Sequence, residues 1–155
     1  MQAAAFWKAV VMDRANLLEE LTGLLATHAV RYCVIGGQAV NAYVEPLVSL
    51  DLDLAVAADQ LELAESLLRE RFTVERFSHS LNISAPDSDL RVQIWTDPRY
   101  APFPERSGVR TVLGFSLPVA QLDDVLQGKI WAATDPERRA SKRRKDLLDI
   151  ERLLE

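Results

Sequence analysis

Residues 32–56 read YCVIGGQAVNAYVEPLVSLDLDLAV, and the fold follows from how this stretch is punctuated. Arg31–Ile35 is an apolar run of β-branched and aromatic type, which predicts a buried strand. Gly36-Gly37 makes a turn, Gln38–Val44 continues as a short helix, and Pro46 breaks it. Leu50–Val56 reads as a second strand, and it carries Asp51 and Asp53 one residue apart. Residues i and i+2 of a strand point to the same face, so the two carboxylates project side by side from an otherwise apolar segment. Carboxylates that close repel each other unless a cation lies between them. A hard divalent ion, Mg²⁺ or Mn²⁺, is the matching partner, because it takes oxygen ligands and bridges to phosphates. An exposed strand edge bearing solubilising charges suits the same pattern.

Outward from this stretch the chain alternates between helical and extended periodicity. Ala4–Val11 reads as a short helix. Arg14–His28 reads as a longer one, with Asp13 as its cap and Leu17, Leu18, Leu21, Leu24 and Leu25 at helical spacing. Asp59 caps a helix reaching about Arg71. Phe72–Phe77, Leu81–Ala85 and Asp89–Trp95 follow as strands, with a turn at Pro86-Asp87-Ser88. Val109–Leu117 includes one more strand. Gln121–Ala133 is helical, and Asp135-Pro136 starts a final helix with Leu147, Ile150, Leu153 and Leu154 as its apolar stripe. The order predicts an α+β (α/β) chain with a mixed β-sheet flanked by helices, not a regular βαβ repeat. The expected organisation is one domain over residues 1–155, with a core at about 30–97 and a C-terminal helical part at about 119–155.

Composition sets the remaining bounds. At 155 residues, 48% of them hydrophobic and 26% charged, the chain can bury a core and has the balance of a soluble domain. A single cysteine, Cys33, excludes an intramolecular disulfide and sits in an apolar strand, as an inert core thiol does. No apolar stretch is long enough for a membrane span, and the first residues lack a basic segment before their apolar part, so a cytoplasmic setting with no membrane partner is expected. The net charge of −5 is uneven: residues 138–145, RRASKRRK, hold six basic side chains and no acid. Such a run is either a solvated face or a local anion site. Taken alone it suits an RNA-binding adaptor with salt-sensitive affinity.

Glycines let a backbone approach phosphates closely, and the N–H groups that open a helix favour anions. With VIGGQAV, then SLDLDLAV, then GKIWAATDPERRASKRRKDLLDIERLLE, the chain resembles small nucleotidyltransferase-fold proteins of the polymerase-β superfamily, nearest the AbiEii-type toxin and minimal nucleotidyltransferase groups. The likeness spans most of residues 30–155. It implies binding of an NTP with Mg (or Mn) and transfer of a nucleoside monophosphate to a hydroxyl acceptor, RNA or protein. It also implies a toxin role beside an antitoxin protein. By this resemblance Gly36 and Gly37 lie against the phosphates, and Ser49 supports the loop or a phosphate. Asp51 and Asp53 are metal ligands, Lys129 faces the triphosphate, and Asp146 belongs to the site. Read without it, Lys129 is an exposed helix residue and Asp146 pairs with Lys142 or Arg143, its neighbours one turn back.

Two positions depart from the resemblance. Leu47 stands where relatives often carry arginine. Gln93 stands where the superfamily's third carboxylate usually lies, and a neutral amide is a poor Mg²⁺ ligand and no base. Asp89 and Asp97 share its strand parity but lie roughly 13 Å away along an ideal strand. Gln93 therefore opens a second expectation, a catalytically degenerate nucleotide-binding or partner-binding module of the same fold. Trp95, on the face of Gln93, either stacks on a base or is half-buried packing. His28 and His79 lack metal-ligand spacing and are given no role.

Overall fold

A computed structural model describes residues 16–155. The helix expected at Ala4–Val11 and the Asp13 cap lie outside them. Helix α1 runs through residues 16–27, and its leucines 17, 18, 21, 24 and 25 are all buried, as their spacing requires. Strand β1 (Tyr32–Ile35) leads directly into helix α2 (Gly36–Tyr43). The helix thus starts at Gly36 itself, two residues before the sequence reading put it. Strand β2 (Asp51–Val56) returns antiparallel to β1, with Ile35 opposite Asp53.

After a single 3₁₀ turn at Ala58–Gln60 comes helix α3 (Leu61–Arg69). Asp59 does not cap it. Its carboxylate is taken by Arg31, whose Nη2 lies 2.7 Å away, and α3 opens without a side-chain cap bond. Strands β3 (Thr73–Arg76), β4 (Ser80–Ser84) and β5 (Arg91–Trp95) follow. One strand was expected near 109–117, and two are present: β6 (Gly108–Val112) and β7 (Phe115–Val119), a hairpin turning at Leu113-Gly114. Both turn residues take positive φ, 53° and 85°, so Gly114 supplies the conformation at one of them without strain.

The seven strands form one mixed sheet in the order β3-β4-β5-β2-β1-β7-β6. Strand β2 is central, antiparallel to β1 and parallel to β5. On one face Leu52, Leu54, Leu90, Val92 and Ile94 are buried in the core. The alternation that puts them there sends Asp51, Asp53, Arg91, Gln93 and Trp95 to the other.

Helices α4 (Leu122–Thr134) and α5 (Ala140–Leu154) complete the chain. Asp135 closes α4 and folds back on the N–H of Glu137 at 3.0 Å, so Asp135-Pro136 makes a turn and does not start α5. Arg143 Nη2 donates to the Asp135 carbonyl at 2.6 Å and fixes that turn. The apolar stripe expected on α5 is inner only in part: Ile150 and Leu153 are half-buried, and Leu153 packs against the core. Leu147 and Leu154 are 54% and 69% exposed, while Asp146 and Asp149 are buried. The seam between α4 and α5 is ionic because α4 presents Lys129 to it. Among the described residues no helix is long and apolar enough to cross a membrane.

Candidate functional site

The register of the sheet builds the site. Asp53 stands between Ile35 on one neighbouring strand and Gln93 on the other. Immediately after Ile35 the chain turns into α2 through Gly36 at φ +68°. A Cβ placed on Gly36 would lie 2.4 Å from Asp53 Oδ2, so only glycine fits there, for both backbone and steric reasons. The other carboxylate oxygen, Oδ1, accepts the indole N–H of Trp95 at 3.1 Å. Asp53 is therefore held from two sides, one oxygen on Trp95 and the other against the first turn of α2. Burial pushes its carboxyl above the usual range; the Trp95 bond and the charge of Lys129 pull it down, and Asp51 pushes it up again.

Asp51 shares the strand face but not the environment. Its Oδ1 pairs with Arg91 Nε at 2.8 Å, in a position set by the cross-strand register. The two side chains are 42% and 70% exposed, a setting in which an ion pair contributes only roughly 0.2–1 kcal/mol. Ser49 Oγ accepts the N–H of Asp51 at 3.2 Å, which makes it a support of the strand entry. The α2–β2 loop is clamped from the helix. Gln38 Nε2 donates to the Ser49 carbonyl at 3.1 Å, and Asn41 exchanges bonds of 2.7 and 3.0 Å with Leu47. Leu47 itself is exposed.

Asp53 and Gly36 line a cleft of about 430 Å³ between the sheet and α4. One wall is aromatic: Trp95, Tyr100, Phe103 and Trp131 pack on one another, with Arg99 4.6 Å over the Trp131 ring. The other wall carries Lys129, Arg138 and Asp146. Lys129 is buried, with Nζ 3.2 Å from Asp146 Oδ1 and 2.9 Å from Asp149 Oδ2. Arg138 forks onto Asp146 at 2.8 and 3.0 Å, and Asp149 also takes Lys145 at 3.2 Å and Arg152 at 2.8 Å. Two buried carboxylates thus collect four cations, which leaves the seam positive. Asp146 pairs with Lys129 and Arg138, not with the helix neighbours Lys142 and Arg143. Lys145 reaches α2, its Nζ 3.4 Å from where a Cβ on Gly37 would lie.

Sequence reasoning assigned no role to Asp149, Arg152, Arg99 or Trp131, and none to His79, which lines the cleft. The spacing of Asp146 and Asp149, i and i+3 in KDLLD, carried the missing signal: it puts both acids on one helix face. Asp97, beyond the end of β5, also lines the cleft, but Arg99 binds its carboxylate at 3.1 and 3.0 Å.

The donor set suits one hard cation. Two carboxylates lie on one strand face, and the Gly36 cradle leaves no side chain over Asp53 Oδ2. Gln93, in register beside Asp53, adds a neutral amide where a third carboxylate would bring charge. Among the described residues no cluster of three or more acidic, histidine or cysteine side chains that could hold a metal exists.

No family model matches the chain, and no curated protein matches it. Solved structures do. The antibiotic-resistance factor ANT(2")-Ia, in complex with adenylyl-2"-tobramycin, aligns with a TM-score of 0.63 at 14% identity over 92% of this chain and 90% of that one. The lincosamide antibiotic adenylyltransferase LnuA, bound to lincomycin, aligns at 0.57 with 11% identity over 88% and 95%. An antigenic nucleotidyltransferase-like protein from Paracoccidioides brasiliensis aligns at 0.58 with 14% identity over 92% and 75%. This is the nucleotidyltransferase fold. The nucleotidyltransferase fold here is a mixed seven-stranded sheet with helices on its flanks and two helices at its C-terminal end, as the sequence reading expected.

Proposed function

We propose that this single-domain protein transfers a nucleoside monophosphate from an NTP to a hydroxyl acceptor. One observation carries the reading: Asp53 is held against Gly36, at the start of α2, in a cleft that Lys129 and Arg138 also line. Gly36 and Gly37 admit the phosphates to the first turn of the helix, where free N–H groups favour anions. Lys142, whose charge reaches Asp53, and Lys145, over Gly37, neutralise them. Lys129 adds charge to the site but acts chiefly through position, because both of its carboxylate partners hold it. Asp146 and Asp149 in turn fix α5 against α4. Ser49 keeps Asp51 at the strand entry. Asp51 and Asp53 would hold Mg²⁺ or Mn²⁺, which when bound neutralises phosphate oxygens and lowers the pKa of the attacking hydroxyl.

In the reaction the acceptor oxygen bonds to the α-phosphorus, the α–β bridging bond breaks, and pyrophosphate leaves. The hydroxyl proton passes to water, since the amide of Gln93 cannot take it. The resemblance of the C-terminal sequence to AbiEii-type toxins is what supports RNA or protein as the acceptor, and a toxin held by an antitoxin protein as the setting. The single buried thiol of Cys33 agrees with a reducing, cytoplasmic location. The tobramycin and lincomycin of the structural neighbours add small hydroxylated molecules to the acceptors worth testing.

A second reading rests on Gln93, which lies in register beside Asp53. It is a module that binds nucleotide without transferring it. Incubation with α-labelled NTPs, Mg²⁺ or Mn²⁺ and tRNA, protein or aminoglycoside separates the two. Transfer that disappears in Asp51→Asn/Asp53→Asn supports the enzyme. NTP binding with no transfer to any acceptor selects the silent module, and absence of NTP binding contradicts both.

A further inference from the structure

We infer that Arg91 is a latch on the cation site: it holds Asp51 through Oδ1 in the nucleotide-free protein and competes with a divalent ion for that carboxylate. The inference rests on the proposed role of Asp51 and Asp53 and adds a residue to it. Strands β2 and β5 run parallel in a register that puts Arg91 directly beside Asp51, and Gln93 beside Asp53. The Arg91 N–H donates to the Leu50 carbonyl at 2.8 Å, which pins the start of β5 against the start of β2. From that anchored backbone the guanidinium reaches Asp51 Oδ1 at 2.8 Å.

The consequence is an asymmetric acid pair. Asp53 faces the cleft and meets no guanidinium there; its oxygens lie against Trp95 and Gly36. Asp51 lies outside the cleft lining, neutralised by a cation built into the next strand. A guanidinium and a metal ion compete for the same carboxylate, so each lowers the apparent affinity of the other. The pair is largely exposed, which keeps the latch weak enough to open.

The test is Mn²⁺ titration followed by electron paramagnetic resonance, without nucleotide, on the full chain. Arg91→Gln is expected to tighten Mn²⁺ binding about two- to five-fold, the range an exposed ion pair supports. Arg31→Gln removes an equal charge from the opposite end of the β1–β2 pair, beside Asp59. It is expected to leave the affinity unchanged. Equal or weaker Mn²⁺ binding in Arg91→Gln overturns the latch while leaving the acid pair intact. A gain of the same size in Arg31→Gln overturns it in favour of bulk charge. Binding that survives Asp53→Asn in every protein removes the cation site itself, and the latch with it.

Discussion

The indole N–H of Trp95 donates to Asp53 Oδ1 across two strands at 3.1 Å, and this bond aims the carboxylate at the first turn of α2. Trp95 lies two residues beyond the register partner of Asp53, so its side chain leans back along β5 to reach it. Half-buried packing and a polar tip combine in one residue, as tryptophan allows. Trp95→Phe keeps the ring but leaves an oxygen of the half-buried Asp53 carboxylate without its donor. A loss of about 1–3 kcal/mol is expected, readable as a lower urea midpoint at unchanged slope.

Gly36→Ala meets two obstacles at once, the φ of +68° and the 2.4 Å approach to Asp53 Oδ2. A cost of about 2 kcal/mol or more follows, or about 4–8 °C in Tm for a chain of this size. Nucleotide affinity falls with it, because Asp53 must move. Gly37→Ala meets only the flexible tip of Lys145 at 3.4 Å, so its fold is expected to survive.

Much of this arrangement was legible before any geometry. The strand, glycine pair and second strand of residues 32–56 announced β1, α2 and β2, because glycine pairs and prolines punctuate and β-branched runs extend. The alternation in LRVQIW correctly separated Leu90, Val92 and Ile94 from Gln93 and Trp95. The inner face of α5 is only half apolar, Ile150 and Leu153 without Leu147 and Leu154, for a physical reason. Hydrophobic periodicity assumes that the inward side of a helix is apolar, and here the inward side also holds Asp146 and Asp149, neutralised by cations from α4, the preceding turn and α5 itself. The Arg91–Asp51 pair was invisible for a different reason, since it depends on a parallel register that no local pattern encodes.

Asp149 gives the seam a pH signature. Burial alone would raise its carboxyl, but Lys129 and Lys145 outweigh that and hold it below the usual range. A carboxyl lowered by folding contributes fully above its unfolded value near 3.9 and loses that contribution as the pH falls through the folded one. Stability of the wild type is expected to drop steeply below about pH 4. Asp149→Asn leaves Lys129 short of a buried partner and costs about 3–5 kcal/mol at pH 7, with a shallower acid limb in thermal melts.

Lys129 and the exposed lysines of α5 are expected to separate by readout. Lys129→Met removes the one cation that two buried carboxylates share, while Arg138, Lys145 and Arg152 stay on them, so it is read first as lost stability, about 1.5–3 kcal/mol. Lys142→Ala/Lys145→Ala removes side chains that are not buried. Its Tm is expected to stay within a few degrees, while NTP affinity falls about tenfold or more, the scale of one charge-assisted hydrogen bond. Calorimetry and nucleotide titration on the same samples check both.

The most direct test of the site is where a nucleotide-bound cation comes to rest. Mn²⁺·NTP added at substoichiometric levels broadens amide resonances near the ion. The expected result is early loss of the Gly36 and Gly37 amides and the Trp95 indole signal, abolished by Asp53→Asn. Broadening centred on the outer face of α5 instead, near Arg139 and Arg144, and indifferent to Asp53→Asn, would contradict the proposed site.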